Sequence, residues 1–214
     1  MTGGSGLNTN VFCHCVVDRT PAVPFETSES VATTVERCVR AALVVVSLVG
    51  LRRRDPGAVV NGVLALAGTF FPDVVERRYA VTLRPWQRVY VETAMLTHAV
   101  GMLGPYDDVP WWDHLTHTHS ATVVGGVVHA VARHRNRDPL AHVLPGVFGL
   151  GVLWEVLEYV AHGLSRRVGI EPVLVSYSRT DTLLDLLFDL LGAVVVVALG
   201  DRLLHNVLPD DESA

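Results

Sequence analysis

The sequence predicts an all-α fold, a polytopic membrane helix bundle of about six transmembrane helices. Three observations carry this expectation. Half of the 214 residues are apolar and only 18% are charged, against roughly 25% charged residues in soluble domains, and the mean hydropathy is +0.35. The apolar residues come in blocks separated by polar punctuation, and at about 20 residues per span the chain has room for about six. Finally, AALVVVSLVGL, VLPGVFGLGVLW and LLGAVVVVALG are apolar on every face. A soluble helical bundle, the competing architecture, cannot bury such helices completely at this size.

Residues 1–30 are rich in Gly, Ser, Thr and Pro and have no apolar run, so a flexible polar tail is expected there. A basic segment leading into an apolar one is missing, so no cleaved signal is expected. Cys13 and Cys15 flank His14 in this tail, but the local sequence lacks the fourth donor that a structural zinc site needs. With Cys38 they make three cysteines, too few and too badly placed for a disulfide scaffold.

The first span is expected at 31–51, closed by Arg52, Arg53, Arg54, Asp55 and Pro56. A second runs over 57–75, with Asn61 near its start and Glu76, Arg77 and Arg78 at its end. The third, 86–104, follows Arg84 and Pro85 and stops at Gly104 and Pro105. The fourth, 111–132, follows Tyr106, Asp107, Asp108, Val109 and Pro110 and ends before Arg133, His134 and Arg135. The fifth, 140–164, contains Pro145, where a bend is expected. The sixth, 181–204, closes at Arg202 and His205. Together they form one membrane domain over 31–205, followed by an acidic tail at 206–214. Trp86, Trp111, Trp112 and Trp154 fall near span ends, as interfacial anchors do.

All seventeen cationic side chains are arginine and the net charge is −5. The arginines are scattered among loops rather than gathered in a patch, which excludes nucleic acid as an expected partner and leaves membrane lipids. More of them fall on the side of the N-terminus than on the other, so both termini are expected in the cytoplasm and the chain in the cell membrane. The triplet Arg52, Arg53 and Arg54 runs against this bias.

Ionisable residues inside apolar spans cost roughly 2.5–3.5 kcal/mol each on insertion scales and mark function. Three stretches carry them: WWDHLTHTHS (111–120), LWEVLEYVAH (153–162) and DTLLDLLFDLLGA (181–193). Successive spans alternate direction, so the end of span three, the start of four, the end of five and the start of six share one face of the membrane. Asp113, His114 and His117, then Glu155, Glu158 and His162, then Asp181, Asp185 and Asp189 converge there, with His98, Asp107 and Asp108 on the same side. Asp113 and His117 are four apart, Glu155 and Glu158 three, Glu158 and His162 four, and the three aspartates form an i, i+4, i+8 stripe. Asp189 lies roughly 12 Å deeper than Asp181 at 1.5 Å per residue. The stripes face the bundle interior or a water-filled pocket, because lipid cannot solvate them.

Carboxylates and imidazoles from several helices are the set with which helical bundles hold zinc, manganese or iron. The candidate metal ligands are Asp113, His117, Glu155, Glu158, Asp185 and Asp189, with Glu158 and His117 as candidate catalytic bases. A divalent ion would neutralise the carboxylates, and water activated by it would attack an ester, amide or phosphate of a lipid-like substrate. Two other classes stay open. The same groups suit a proton- or cation-coupled transporter acting on a small cationic substrate, and a scaffold without chemistry would pair the acids with Arg166, Arg167 or Arg179. Plainer roles compete residue by residue: Asp181 with Thr180 can cap the sixth helix and Asp113 can be a first-turn acid. His114, His119 and His162 suit a polar or interfacial face, and Arg52, Arg53 and Arg54 a solvated boundary or a phosphate contact.

The order of WDHLTH, WEVLE and DTLLDLLFDLLGA resembles the YjdF-like family of small multi-pass inner-membrane proteins. The likeness covers about residues 106–200, and its most specific part maps onto Asp181, Thr182, Asp185, Asp189, Gly192 and Ala193. The chain departs from that family in having Thr118, His119 and Ser120 where a glycine-rich stretch usually follows the histidine. The resemblance implies membrane topology and the residue set, and no reaction.

Overall fold

The computed structural model describes residues 29–170, 172–175 and 178–209. Cys13, His14 and Cys15 lie outside the described residues, as do 210–214 of the acidic segment. The described chain forms helices α1 (Glu29–Arg53), α2 (Pro56–Gly68), α3 (Phe71–Tyr79), α4 (Pro85–Gly101), α5 (Pro105–Asp108), α6 (Trp112–His134), α7 (Leu140–Val168) and α8 (Arg179–Leu203), then a 3₁₀ turn at His205–Val207.

The helices pack as two groups. In the first, α1 packs against α2 and α4 and α2 against α4, around Val39, Leu43, Val46, Ala65 and Ala99. In the second, α6 packs most extensively on α8, and α7 packs on both, around Ala121, Val143, Val147, Ala193 and Val196. The contact of α4 with α6 joins the groups.

Among the described residues, three helical stretches are long and apolar enough to cross a membrane: Pro56–Tyr79, which is α2 and α3 together, α7, and α8. The distribution of polarity is inverted relative to a soluble domain. Leu153, Val156, Leu157 and Val160 on α7 and Leu183, Leu187, Leu191 and Val194 on α8 are exposed, while His117, Glu155, Asp185 and Asp189 are buried.

Small residues set the closest approach. On α8 the buried face runs Asp185, Asp189, Gly192, Ala193, Val196 and Gly200, so the carboxylate stripe continues as a stripe of small residues. A Cβ on Gly192 would stand 2.7 Å from the Thr118 carbonyl oxygen and 2.8 Å from Ala121 Cβ, and one on Gly200 would stand 2.7 Å from the His129 ring. In an apolar environment such contacts let dispersion hold two helices together.

Two local expectations are refined. The second span, 57–75, falls within the apolar stretch Pro56–Tyr79 but is broken inside it: α2 ends at Gly68 and α3 begins at Phe71. Pro72 has no N–H to continue the ladder and restricts the residue before it. Thr69 N and Phe70 N turn back to Leu66 O and Ala67 O, as in a tightened last turn. The last helix is capped by Ser178, whose hydroxyl accepts from Asp181 N at 3.1 Å, rather than by Thr180 and Asp181, which sit in its first turn. Pro145 lies near the start of α7, which continues to Val168. After α8, Val207 is buried and the Asn206 amide donates to Thr82 O and Gln87 Oε1, so the segment from 206 begins packed against the start of α4.

Candidate functional site

A cavity of about 680 Å³ lies between the two groups of helices. Its polar residues come from the start of α2 (Asp55, Asn61), the end of α4 (His98), α5 (Tyr106, Asp107), the start of α6 (Asp113, His117), the end of α7 (Glu158) and α8 (Asp189). Antiparallel connection brings these helix ends to one end of the bundle. Farther along the same helices the wall becomes apolar, with Leu64, Met95, Val124, Val147 and Leu150.

His117 is the centre of the polar end. Its Nδ1 lies 3.1 Å from Asp189 Oδ1 and its Nε2 lies 3.6 Å from Asp113 Oδ1. The close α6–α8 contact brings the i, i+4 pair of one helix onto the i, i+4 pair of the other. Asp113, His117 and Asp185 each offer one ligand atom, and the three atoms lie within 4.8 Å of one another. Asp185 is 2% exposed, and its Oδ1 is buried without a hydrogen bond. His114 Nδ1 is 3.4 Å from that oxygen but is likewise without a hydrogen bond; its ring stacks on Phe188 at 4.4 Å. A buried carboxylate oxygen left in this way is costly unless something answers its charge.

From α7, Gly151 faces Asp189, and a Cβ there would collide with Asp189 Oδ2. The glycine makes room for the carboxylate. One turn on, Trp154 donates its indole N–H to Glu158 Oε1 at 2.9 Å and meets the His98 ring edge-on at 6.0 Å. Glu158 thus stands on the cavity wall with a fixed orientation. Glu155 is buried, and its Oε1 has no hydrogen bond. It and Asp185 are not on the cavity lining.

A second constellation occupies the opposite wall. Asn61 uses its amide nitrogen on Gly57 O at 2.9 Å and Val173 O at 3.2 Å, which leaves its Oδ1 facing His98 Nε2 at 3.1 Å. That oxygen can only accept, so Nε2 is assigned the proton and Nδ1 accepts from the Tyr106 hydroxyl at 2.7 Å. The hydroxyl is also 3.3 Å from Thr116 Oγ1, which donates to Asp113 O at 2.7 Å. Gly101 permits this packing, because a Cβ there would run into the Tyr106 ring. In the sequence, Asn61 and His98 are visible as polar residues within apolar spans; Tyr106 and Thr116 give no such signal.

Arg166, Arg167 and Arg179 make no ion pair with the site among the described residues, whose pairs here run from His114 to Asp185 and from His117 to Asp113 and Asp189. The arginine triplet is used differently: Arg53 Nη1 donates to Leu103 O at 2.8 Å, tying α1 to the end of α4.

No solved structure matches the chain. An uncharacterised protein of Thermotoga maritima is 26% identical over 148 residues, which cover 63% of this chain and 72% of that protein. The profile of a family described as predicted membrane protein (DUF2238) matches residues 35–206. That stretch takes in both helical groups and every residue of the site, and the chain belongs to this family of predicted membrane proteins.

Proposed function

We propose that the chain is a six-span protein of the cell membrane that holds a divalent cation of the zinc, manganese or iron class and uses it to hydrolyse a lipid-like substrate. The observation that carries this reading is the convergence of the ligand atoms of Asp113, His117 and Asp185 within 4.8 Å, with Asp185 Oδ1 buried and without a hydrogen bond. Asp113, His117 through Nε2, and Asp185 hold the ion. Asp189 accepts from His117 Nδ1, the carboxylate–histidine arrangement that fixes a ligating imidazole. Such a cation supplies Lewis-acid polarisation and acidifies a water. Glu158, held by Trp154, accepts the proton of the water that attacks an ester, amide or phosphate, and Glu155 adds negative charge behind it.

The six spans are α1, α2 with α3, α4, α6, α7 and α8. With both termini cytoplasmic, the site opens on the extracytoplasmic side. The likeness to the YjdF-like family is compatible with this topology. Proton or cation transport needs a polar path beyond Asp189, whereas the buried face of α8 continues as Gly192, Ala193, Val196 and Gly200, which supports a one-sided pocket.

The test is elemental analysis of detergent-purified protein after incubation with Zn²⁺, Mn²⁺ or Fe²⁺. One ion per chain is expected in the wild type and in Glu158→Gln, and none in Asp185→Asn. A wild type that retains no ion overturns the metal reading. Reporter fusions at the two termini check the orientation.

A further inference from the structure

We infer that the cavity takes a single-chain amphiphile with a cationic head group, which enters sideways from the membrane between α2 and α7. The inference rests on the membrane-embedded pocket proposed above and not on its cation. Two features of the cavity point to this occupant.

The first is an apolar mouth. Leu64 on α2 and Leu150, Leu153 and Leu157 on α7 line the cavity, yet they are 63%, 48%, 52% and 48% exposed. Lining leucines this accessible mark a stretch of wall where the cavity is open rather than sealed. Leu150, Leu153 and Leu157 follow i, i+3, i+7 spacing, so they form one edge along α7. Leu64 stands on a helix of the first group and the three α7 leucines on a helix of the second, so the two groups each supply one side of the opening. Both helices belong to stretches apolar enough to cross a membrane, so this opening faces acyl chains rather than water. A hydrocarbon chain passing through it reaches Met95, Val124 and Val147 on the inner wall.

The second is the sign of the charge at the polar end. Among the described residues, the lining there holds Asp55, Asp107, Asp113, Glu158 and Asp189, and no arginine. Holding one divalent ion at Asp113, His117 and Asp185 still leaves carboxylates at Asp55 and Glu158 on the lining. In a low-dielectric wall such a field attracts cations and repels phosphate or carboxylate head groups, which narrows the bond open to hydrolysis to an ester or amide. The volume, about 680 Å³, falls within the roughly 300–1,000 Å³ of pockets that enclose small ligands. An ammonium head at Glu158 with its chain toward Val147 satisfies both ends of the cavity.

The experiment uses the full chain in lipid nanodiscs and three photoactivatable probes with the same octadecyl chain, bearing an amine, an alcohol or a carboxylic acid. The amine is expected to label cavity peptides of α2, α4 and α7 about tenfold more than the acid, the factor given by one favourable contact of about 1.4 kcal/mol, with the alcohol between them. Leu150→Trp, a substitution at a half-exposed position that tolerates bulk, should remove labelling by all three. Glu158→Gln should bring the amine down to the level of the alcohol. Equal labelling by acid and amine, or labelling confined to the outer faces of the helices, overturns the inference. Metal content measured on the same samples keeps the two readings apart: labelling without bound metal sinks only the metal centre, and bound metal without selective labelling sinks only the amphiphile.

Discussion

Around α1, α3 and α4, carboxylates are answered by arginine. Arg88 donates to Asp73 at 2.6 Å, Glu76 at 2.7 Å and Glu36 at 2.9 Å. Arg40 donates to Glu92 at 2.8 Å and lies over the Phe70 ring at 4.6 Å, stapling the break between α2 and α3. At the site formed by α6, α7 and α8, the described partners of Asp113, Glu158, Asp185 and Asp189 are imidazoles, a hydroxyl and an indole, and the one arginine pair described between these helices, Arg133 with Asp201 at 3.3 Å, lies near their other end. Guanidinium is always charged and forks onto carboxylates, so the first cluster is complete without a ligand. Glu92 Oε2 and Arg40 Nε lack hydrogen bonds, but they belong to a pair already joined. In the second cluster Asp185 and Glu155 each keep a buried oxygen without a hydrogen bond. The same residue types therefore serve as a brace in one half and leave an open site in the other.

The largest expected effect comes from breaking the brace. Arg40→Leu leaves Glu92, which is 0% exposed, as a buried charge without its partner, a change that costs about 3–5 kcal/mol. The thermal midpoint in detergent should fall steeply or the protein should no longer elute as a single species. Arg40→Leu with Glu92→Leu should recover most of the loss, because the cost lies in the stranded charge and not in the missing pair. A double variant no better than the single one would mean that Arg40 matters through Phe70 and not through Glu92.

Next in size is the separation of α6 from α8. In Gly192→Ala the new Cβ meets the Thr118 carbonyl and Ala121, both fixed parts of α6, so the helices must move apart, at about 1–3 kcal/mol for overpacking. Gly151→Ala meets mainly the Asp189 carboxylate, which is a movable side chain. It should lower the thermal midpoint less, while weakening metal retention by displacing the group that orients His117. Comparable losses of stability in both would show that Asp189 is held as rigidly as backbone.

The site should respond to neutralisation with the opposite sign from the brace. Asp185→Asn removes a buried carboxylate that no arginine answers among the described residues, so without added metal the stability should stay level or rise, by an amount on the order of 1 kcal/mol, and the thermal midpoint with it. The wild type should gain stability on adding the cation, by mass action on the folded state, and the variant should not. A fall in stability of the metal-free variant would place Asp185 among the braces.

The sequence made one end of the site legible, because alternation of spans and helical spacing are local rules. They put Asp113, His117, Glu158 and Asp189 at one end of the bundle before any packing is known. Packing partners were not legible. Arg40 and Glu92 lie 52 positions apart, and nothing local joins them, so Arg40 and Arg88 count in the sequence only toward orientation. Which oxygen of which aspartate faces Nδ1 or Nε2 of His117 depends on how closely α6 meets α8, and that is set by Gly192 and Gly200. The break after Gly68 was written in Phe70, Phe71 and Pro72, but a continuous apolar run obscured it.

The smallest effect concerns the Asn61–His98–Tyr106 wall, which is neither arginine brace nor open site. Tyr106→Phe removes one donor from a neutral imidazole and should cost about 0.5–1.5 kcal/mol, the range of a single neutral hydrogen bond, with metal retention unchanged because the lost hydroxyl meets His98 and Thr116, neither of them a proposed ligand. The decisive observable is the tautomer of His98. Asn61 spends both amide hydrogens on Gly57 O and Val173 O, so Nε2 must carry the proton and Nδ1 must accept. Imidazole nitrogen shifts in protein labelled with ¹⁵N-histidine should report an Nε2–H ring, and in Tyr106→Phe the Nδ1 signal should move as it loses its donor. An Nδ1–H ring would reverse the direction of the chain, make Tyr106 an acceptor, and leave the Asn61 carbonyl oxygen facing a lone pair. That arrangement is electrostatically unfavourable, and the two backbone carbonyls that orient the amide forbid it.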